Sequence, residues 1–182
     1  MDYTPKEILL KNGKTCLLRR GEEQDAELLI EYLKATAGET RYLTREPEEI
    51  ILTVEEERDI IREKNSADRV LNLLAFVDGE HAGNCGVNPV SGHGRARHRC
   101  TVGIALYKKF WGLGLGTALL GEIPHIAKAA GYEQAELKVV SANEAAIALY
   151  RKLGFEATGT IPRVMKYRDG TYADFLFMVK RL

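Results

Sequence analysis

The chain has 182 residues, 45% hydrophobic and 29% charged, enough to bury one core and ordinary for a globular protein. Its 26 Lys and Arg balance its 26 Asp and Glu, which argues against a nucleic-acid-coating role, and no apolar run reaches membrane-spanning length. Three cysteines, Cys16, Cys85 and Cys100, are odd in number and share no metal-ligand spacing, so they argue against a disulfide scaffold or a metal site and point to a reducing, cytoplasmic setting.

The N-terminus carries no apolar segment of the signal-peptide kind, and residues 1–182 read as a single domain. The charge balance hides an asymmetry. Residues 1–65 hold 16 Asp and Glu against 11 Lys and Arg, and residues 66–182 hold 10 against 15. The second half therefore suits a polyanionic ligand.

Thr15 to Arg20 reads as a first strand. From Gly21 to about Ala37, Ala26, Leu29, Ile30 and Leu33 mark the apolar stripe of a helix, with acidic residues favourable near its start. A loop from Gly38 to Glu46 leads to Pro47, which fits the first turn of a second helix running to about Asn65 with Ile50, Ile51, Val54 and Ile61 inward. The run Glu55-Glu56-Glu57 reads as the solvated side of that helix. Arg69 to Val77 and His81 to Pro89 are strands joined at Asp78-Gly79, a hairpin turn by composition. After the turn Ser91-Gly92-His93-Gly94, a long strand runs from Arg95 to Tyr107.

The next stretch, Lys108-Lys109-Phe110-Trp111-Gly112-Leu113-Gly114-Leu115-Gly116-Thr117, lies between that strand and a helix. Leu115, Ala118, Leu119, Ile123, Ile126, Ala127 and Ala130 recur at helical steps. Pro124 removes one hydrogen bond from this helix and should kink it. The glycines thus sit where a helix begins, where the first N–H groups have no intrahelical partner and the dipole favours an anion. This is a phosphate cradle. The dinucleotide fingerprint fails, because counting from Gly112 its sixth position is Thr117. A nucleotide-triphosphate loop fails because no lysine precedes Thr117.

Ala135 to Val140 is strand-like and is followed by Ser141-Ala142-Asn143-Glu144, then a helix that Gly154 closes. Either Ser141, with Glu144 three residues on, or Asn143 can cap it. Seven residues separate Asn143 from Tyr150, about two turns, so both side chains share a face roughly 10 Å apart. Phe155 to Arg168 is extended, Asp169-Gly170 turns the chain, and Thr171 to Lys180 returns as an alternating strand. The order is strand, two helices, three antiparallel strands, helix, strand, helix, two strands. It predicts a mixed α/β, mostly antiparallel sheet of about seven strands with four helices on both faces.

Two strings carry a resemblance. Gly112-Leu113-Gly114-Leu115-Gly116 resembles the acyl-CoA pyrophosphate loop of the GNAT N-acetyltransferase family, matching it at Gly114 and Gly116 and departing at Trp111, where the family usually has Arg or Gln. Asn143 to Phe155 resembles the family's second CoA motif. The best-matching core is residues 101–155. The resemblance implies an acyl-CoA N-acyltransferase fold with a splayed parallel pair of strands, acetyl-CoA as cosubstrate, no metal, and an amine acceptor. It implies that Ile104 and Leu106 meet the pantetheine and acetyl oxygen. Gly112, Gly114, Leu115, Gly116 and Thr117 would hold the pyrophosphate, Asn143 would touch the cofactor, and Tyr150 would be the general acid at the sulfur. For the acceptor's base, the position relatives fill with Glu aligns with Thr101. Glu136 one strand over and His98 on the strand of Thr101 are the substitutes, and Asp174 with the glutamates around Glu39 and Glu46 are candidate acceptor contacts. A small cationic amine and a protein amino group both remain open as acceptor, as do a longer acyl group, a homodimer, and a non-catalytic acyl-CoA sensor.

Overall fold

The computed structural model describes residues 1–182 as one eight-stranded sheet with helices on both faces. The strands are β1 (Lys6–Leu9), β2 (Thr15–Arg20), β3 (Leu71–Val77), β4 (Glu80–Pro89), β5 (Arg99–Leu106), β6 (Gln134–Val140), β7 (Glu156–Lys166) and β8 (Tyr172–Arg181). The helices are α1 (Ala26–Glu39), α2 (Val54–Ser66), α3 (Leu115–Ala129) and α4 (Glu144–Lys152). The sheet order is β1-β2-β3-β4-β5-β6-β8-β7, and only β5 and β6 run parallel.

The alternation of strand side chains sorts the core into two layers. Leu73, Ala75, Cys85, Val87 and Val102 point to one face and pack with Leu115, Leu119, Ile123 and Ala127 of α3 and Ile147 and Tyr150 of α4. Leu74 points to the other face and packs with Ala26, Leu29 and Tyr32 of α1 and Ile61 of α2. Cys16, Cys85 and Cys100 are free, buried thiols packed as small apolar groups. Helix α3 continues through Pro124, whose missing N–H removes one donor without ending the helix.

Four readings of the sequence are corrected. An unforeseen strand, β1, pairs with β2 and makes eight strands rather than seven; it has only four residues and three are exposed, so no apolar pattern announces it. The second helix is not continuous from Pro47. Pro47–Glu49 is a single 3-10 turn, the chain is extended at Thr53, and α2 begins where Thr53 and Glu56 cap one another reciprocally. Ile50 and Ile61 are buried as expected, but Ile51 is 84% exposed and Val54 is also exposed, because the break rotates them out of the stripe. Finally, β5 starts at Arg99, so His98 precedes the strand; its carbonyl accepts the N–H groups of Glu133 and Gln134.

Candidate active site

The parallel strands part almost as soon as they meet. β5 pairs with β6 only from Arg99–Gln134 to Thr101–Glu136, whereas β4 stays paired with β5 as far as Gly83–Leu106. β6 is held away by β8, which pairs with it along its whole length to Val140–Phe175. The open edge of β5 has a defined polarity. The Arg99 carbonyl accepts from Val90 and the Tyr107 N–H donates to Ala82, so the odd-numbered groups face β4. Strand alternation then turns the main-chain N–H groups of Ile104 and Leu106 into the gap.

The cradle continues from this edge. Gly112 and Gly114 have φ of 79° and 83°, left-handed values that disfavour other residues, and Gly114 is the N-cap of α3. The N–H groups from Gly112 to Thr117 donate to no other protein group; the helical ladder starts with Ala118 donating to Gly114. Gly116 is needed for closeness rather than for φ, since a Cβ there would lie 2.9 Å from Leu149 and 3.8 Å from Leu106. Trp111 is half exposed, and its indole Nε1–H donates to the Leu106 carbonyl at 3.0 Å, tying the turn to the end of β5. A fan of free donors at a helix start fits a diphosphate.

Asn143, not Ser141, caps α4, its Oδ1 accepting the Ala146 N–H at 3.2 Å. Two turns later Tyr150 is buried against Phe155, with ring centroids 6.0 Å apart in an edge arrangement. Both residues line one large cleft of about 990 Å³ together with Ile104, Leu106, Gly112, Gly114, Leu115, Gly116 and Thr117. The Tyr150 hydroxyl meets no protein partner, and burial pushes its pKa up to about 12. It is therefore a protonated donor at neutral pH.

The remaining candidates are otherwise engaged. Glu136 does not line the cleft and is 3% exposed. Its carboxylate accepts from Arg99 Nε and Nη2 and from Gln134 Nε2. Burial pushes its pKa up, but the hydrogen bonds from Arg99 and Gln134 outweigh that and hold it below the usual carboxylate range, the reverse of what a base needs. Glu39 accepts the Lys108 N–H at 2.7 Å, Glu46 pairs with Arg168, and Asp174 accepts the Arg163 N–H at 2.8 Å. Thr101 does not line the cleft, and its hydroxyl donates to the Asn88 carbonyl.

Other cleft residues escaped the sequence reading. Lys11, in the β1–β2 turn, lies against the cradle, with its side chain 3.7 Å from where a Gly114 Cβ would stand. The opposite end of the cleft is walled by Leu29, Leu33 and Thr36 of α1, Glu57 and Lys64 of α2, and Arg45 of the intervening loop. Its floor includes Asn72, Gly86 and Gly103, which are cross-strand partners in one row, so two of the three floor positions carry no side chain. His81 is buried among Tyr32, Phe76 and Tyr107 and bonds Asn84 at 2.7 Å, fixing a further cleft side chain.

A profile described as the acetyltransferase (GNAT) family matches residues 39–155. A GNAT-family acetyltransferase from Streptococcus pneumoniae superposes with a TM-score of 0.87 at 32% identity, covering 92% of this chain and 99% of that one. The L-amino acid N-acetyltransferase of Escherichia coli strain K12 is 29% identical over 132 residues, 71% of this chain and 80% of that protein. A phosphinothricin acetyltransferase from Sinorhizobium meliloti, solved with acetyl-CoA, shares the fold with a TM-score of 0.80 at 21% identity, over 96% of this chain and 89% of that one. With the splayed strands, the unengaged cradle and the family profile in agreement over more than half its length, the chain belongs to the GNAT family of acetyltransferases.

Proposed function

We propose that the chain transfers the acetyl group of acetyl-CoA to the primary amine of a small acceptor of the amino-acid class, by direct attack of the amine on the thioester. The observation that carries this reading is the opening between β5 and β6, whose edge presents the N–H groups of Ile104 and Leu106 and runs into the free amides of residues 112–117. Acetyl-CoA would supply an activated acyl carbon and a diphosphate handle. The amides of Gly112, Gly114, Leu115, Gly116 and Thr117 bind the diphosphate, each hydrogen bond to a charged partner contributing about 1.5–3 kcal/mol. The N–H groups of Ile104 and Leu106 orient the pantetheine arm and polarise the carbonyl. Asn143 uses its carbonyl to cap α4 and keeps its amide hydrogens for the ligand.

Tyr150 holds a proton on Oη, and its raised pKa keeps that proton in place until a thiolate develops beside it. The amine enters from the α1–α2 side, where the glycine floor leaves room. No carboxylate stands at Thr101, and Glu136 is retained by Arg99, so the proton that the amine sheds leaves to water in the open cleft rather than to a side chain of β5 or β6. A small acceptor is supported by the walled shape of that end of the cleft and, by analogy, by the E. coli relative named for L-amino acids.

Release of free CoA thiol from acetyl-CoA across a panel of amino acids, polyamines and N-terminal peptides tests the reading. Turnover with a free amino acid is expected, and Tyr150→Phe should lower it tenfold or more with acetyl-CoA affinity nearly unchanged. Binding of acetyl-CoA without turnover across the panel would favour a sensor, and an undiminished rate in the Phe variant would return Tyr150 to a packing role.

A further inference from the structure

Glu55, Glu56 and Glu57 are adjacent in sequence, and successive helical residues point about 100° apart. Glu56 closes the capping box with Thr53, and Glu55 pairs with Arg58 at 3.1 Å on the solvent side. Glu57 points inward. It is 5% exposed, lines the acceptor end of the cleft, and accepts no hydrogen bond and forms no ion pair with any protein group. It shares a helical face with Ile60, Ile61 and Lys64, at the i+3, i+4 and i+7 positions, so it stands next to two apolar residues with a cation one turn beyond.

A carboxylate largely withdrawn from water with no protein partner is costly, and one that opens onto a cleft can be completed by a ligand there. The two nearest cations do not complete it. Lys64 and Arg45 act on it only through space, and neither engages another side chain. Burial accordingly pushes the Glu57 pKa up, with Lys64 and Arg45 opposing the shift. The floor of the cleft it lines is open: a Cβ added at Gly103 would meet nothing within 4 Å.

We propose that Glu57 is the acceptor-specificity residue, its buried carboxylate receiving the positively charged nitrogen of the acceptor while Lys64 and Arg45 flank it for the acceptor's acidic group. This rests on the reading of the cleft as an amino-acid N-acetyltransferase site, and it places a zwitterion rather than a simple polyamine in the acceptor end. The acceptor docks as the ammonium, gives up one proton to water in the open cleft and attacks as the neutral amine, so Glu57 acts on binding and not on the transfer step.

The test pairs Glu57→Gln with Glu57→Asp and uses two readouts, calorimetric binding of L-amino acids, putrescine and spermidine to the CoA-loaded protein, and release of CoA thiol. For the preferred amino acid, Glu57→Gln should weaken binding and raise KM at least tenfold, with kcat within about twofold and acetyl-CoA affinity unchanged. Glu57→Asp should recover part of the loss. The Gln variant should also melt at the same temperature as the parent or a few degrees higher, because neutralising an unpartnered buried charge relieves the fold. Amino-acid binding that falls in Glu57→Gln while the parent shows no turnover would uphold the role and sink acetyl transfer. Unchanged acceptor binding and KM in Glu57→Gln, a lower melting temperature with unchanged specificity, or failure of every amine to bind the parent would overturn the role itself.

Discussion

Tyr150 and Glu136 are both buried titratable side chains, and their surroundings give them opposite characters. The phenol has no hydrogen-bond partner in the protein, so burial, with a smaller contribution from Cys85, raises its pKa and the proton stays. The carboxylate is gripped by two guanidinium nitrogens and an amide, so it stays ionised and out of the cleft. Glu136→Gln should therefore cost stability and leave acceptor kinetics alone. Because its folded pKa lies below the usual carboxylate value, its contribution is present above that value and is lost as pH falls through the folded one. The loss should be about 1–2 kcal/mol near neutrality, moderated by water at the one-third-exposed Arg99. Melting curves against pH check this: the gap between parent and variant should close in acid.

At the scale of elements, the short strand β1 matters more for what it delivers than for what it buries. Its hairpin sets Lys11 over Gly114, while position 111, where the family usually has Arg or Gln, holds a tryptophan that bonds Leu106. A positive charge delivered from another element thus stands beside the cradle that Trp111 leaves without one. Lys11→Glu is expected to weaken CoA binding severalfold at low salt, with the difference shrinking at high salt and the melting temperature unchanged. Calorimetry at two ionic strengths measures it, and equal affinities at both would leave Lys11 a bystander. The same scale explains the misread second helix. The helical periodicity of Ile50, Val54 and Ile61 continues across Ile50 to Thr53, but the Thr53–Glu56 capping box was present in the sequence and marks the true start.

For the whole molecule, the site exists because two strands are held apart by their other neighbours: β4 keeps β5, and β8 keeps β6. The loop carrying Arg45 is fixed from equally far away, by Arg41 stacked on Tyr167 at 3.8 Å, Arg168 paired with Glu48 at 2.9 Å, and Tyr42 packed near Val140, Ala173 and Phe175. Residue-resolved hydrogen exchange should read out this architecture. In the free protein the amides of Ile104, Leu106 and residues 112–117 should exchange fast beside protected Gly103, Ala105 and Tyr107, and CoA should slow the first set. Uniform protection along β5 would mean the edge is closed.

The sequence by itself determined the glycine turn at a helix start, the Asn143–Tyr150 face, the element order and hence the mixed sheet, because these depend on local periodicity, capping and backbone freedom. Only the tertiary structure decided which titratable groups are available. Glu136 and Glu57 are both glutamates in unremarkable strings, and one is neutralised by an arginine 37 residues away while the other faces an open cleft without a partner. Burial and charge pairing are long-range quantities, set by which chain segments meet, and no window of neighbouring residues contains them.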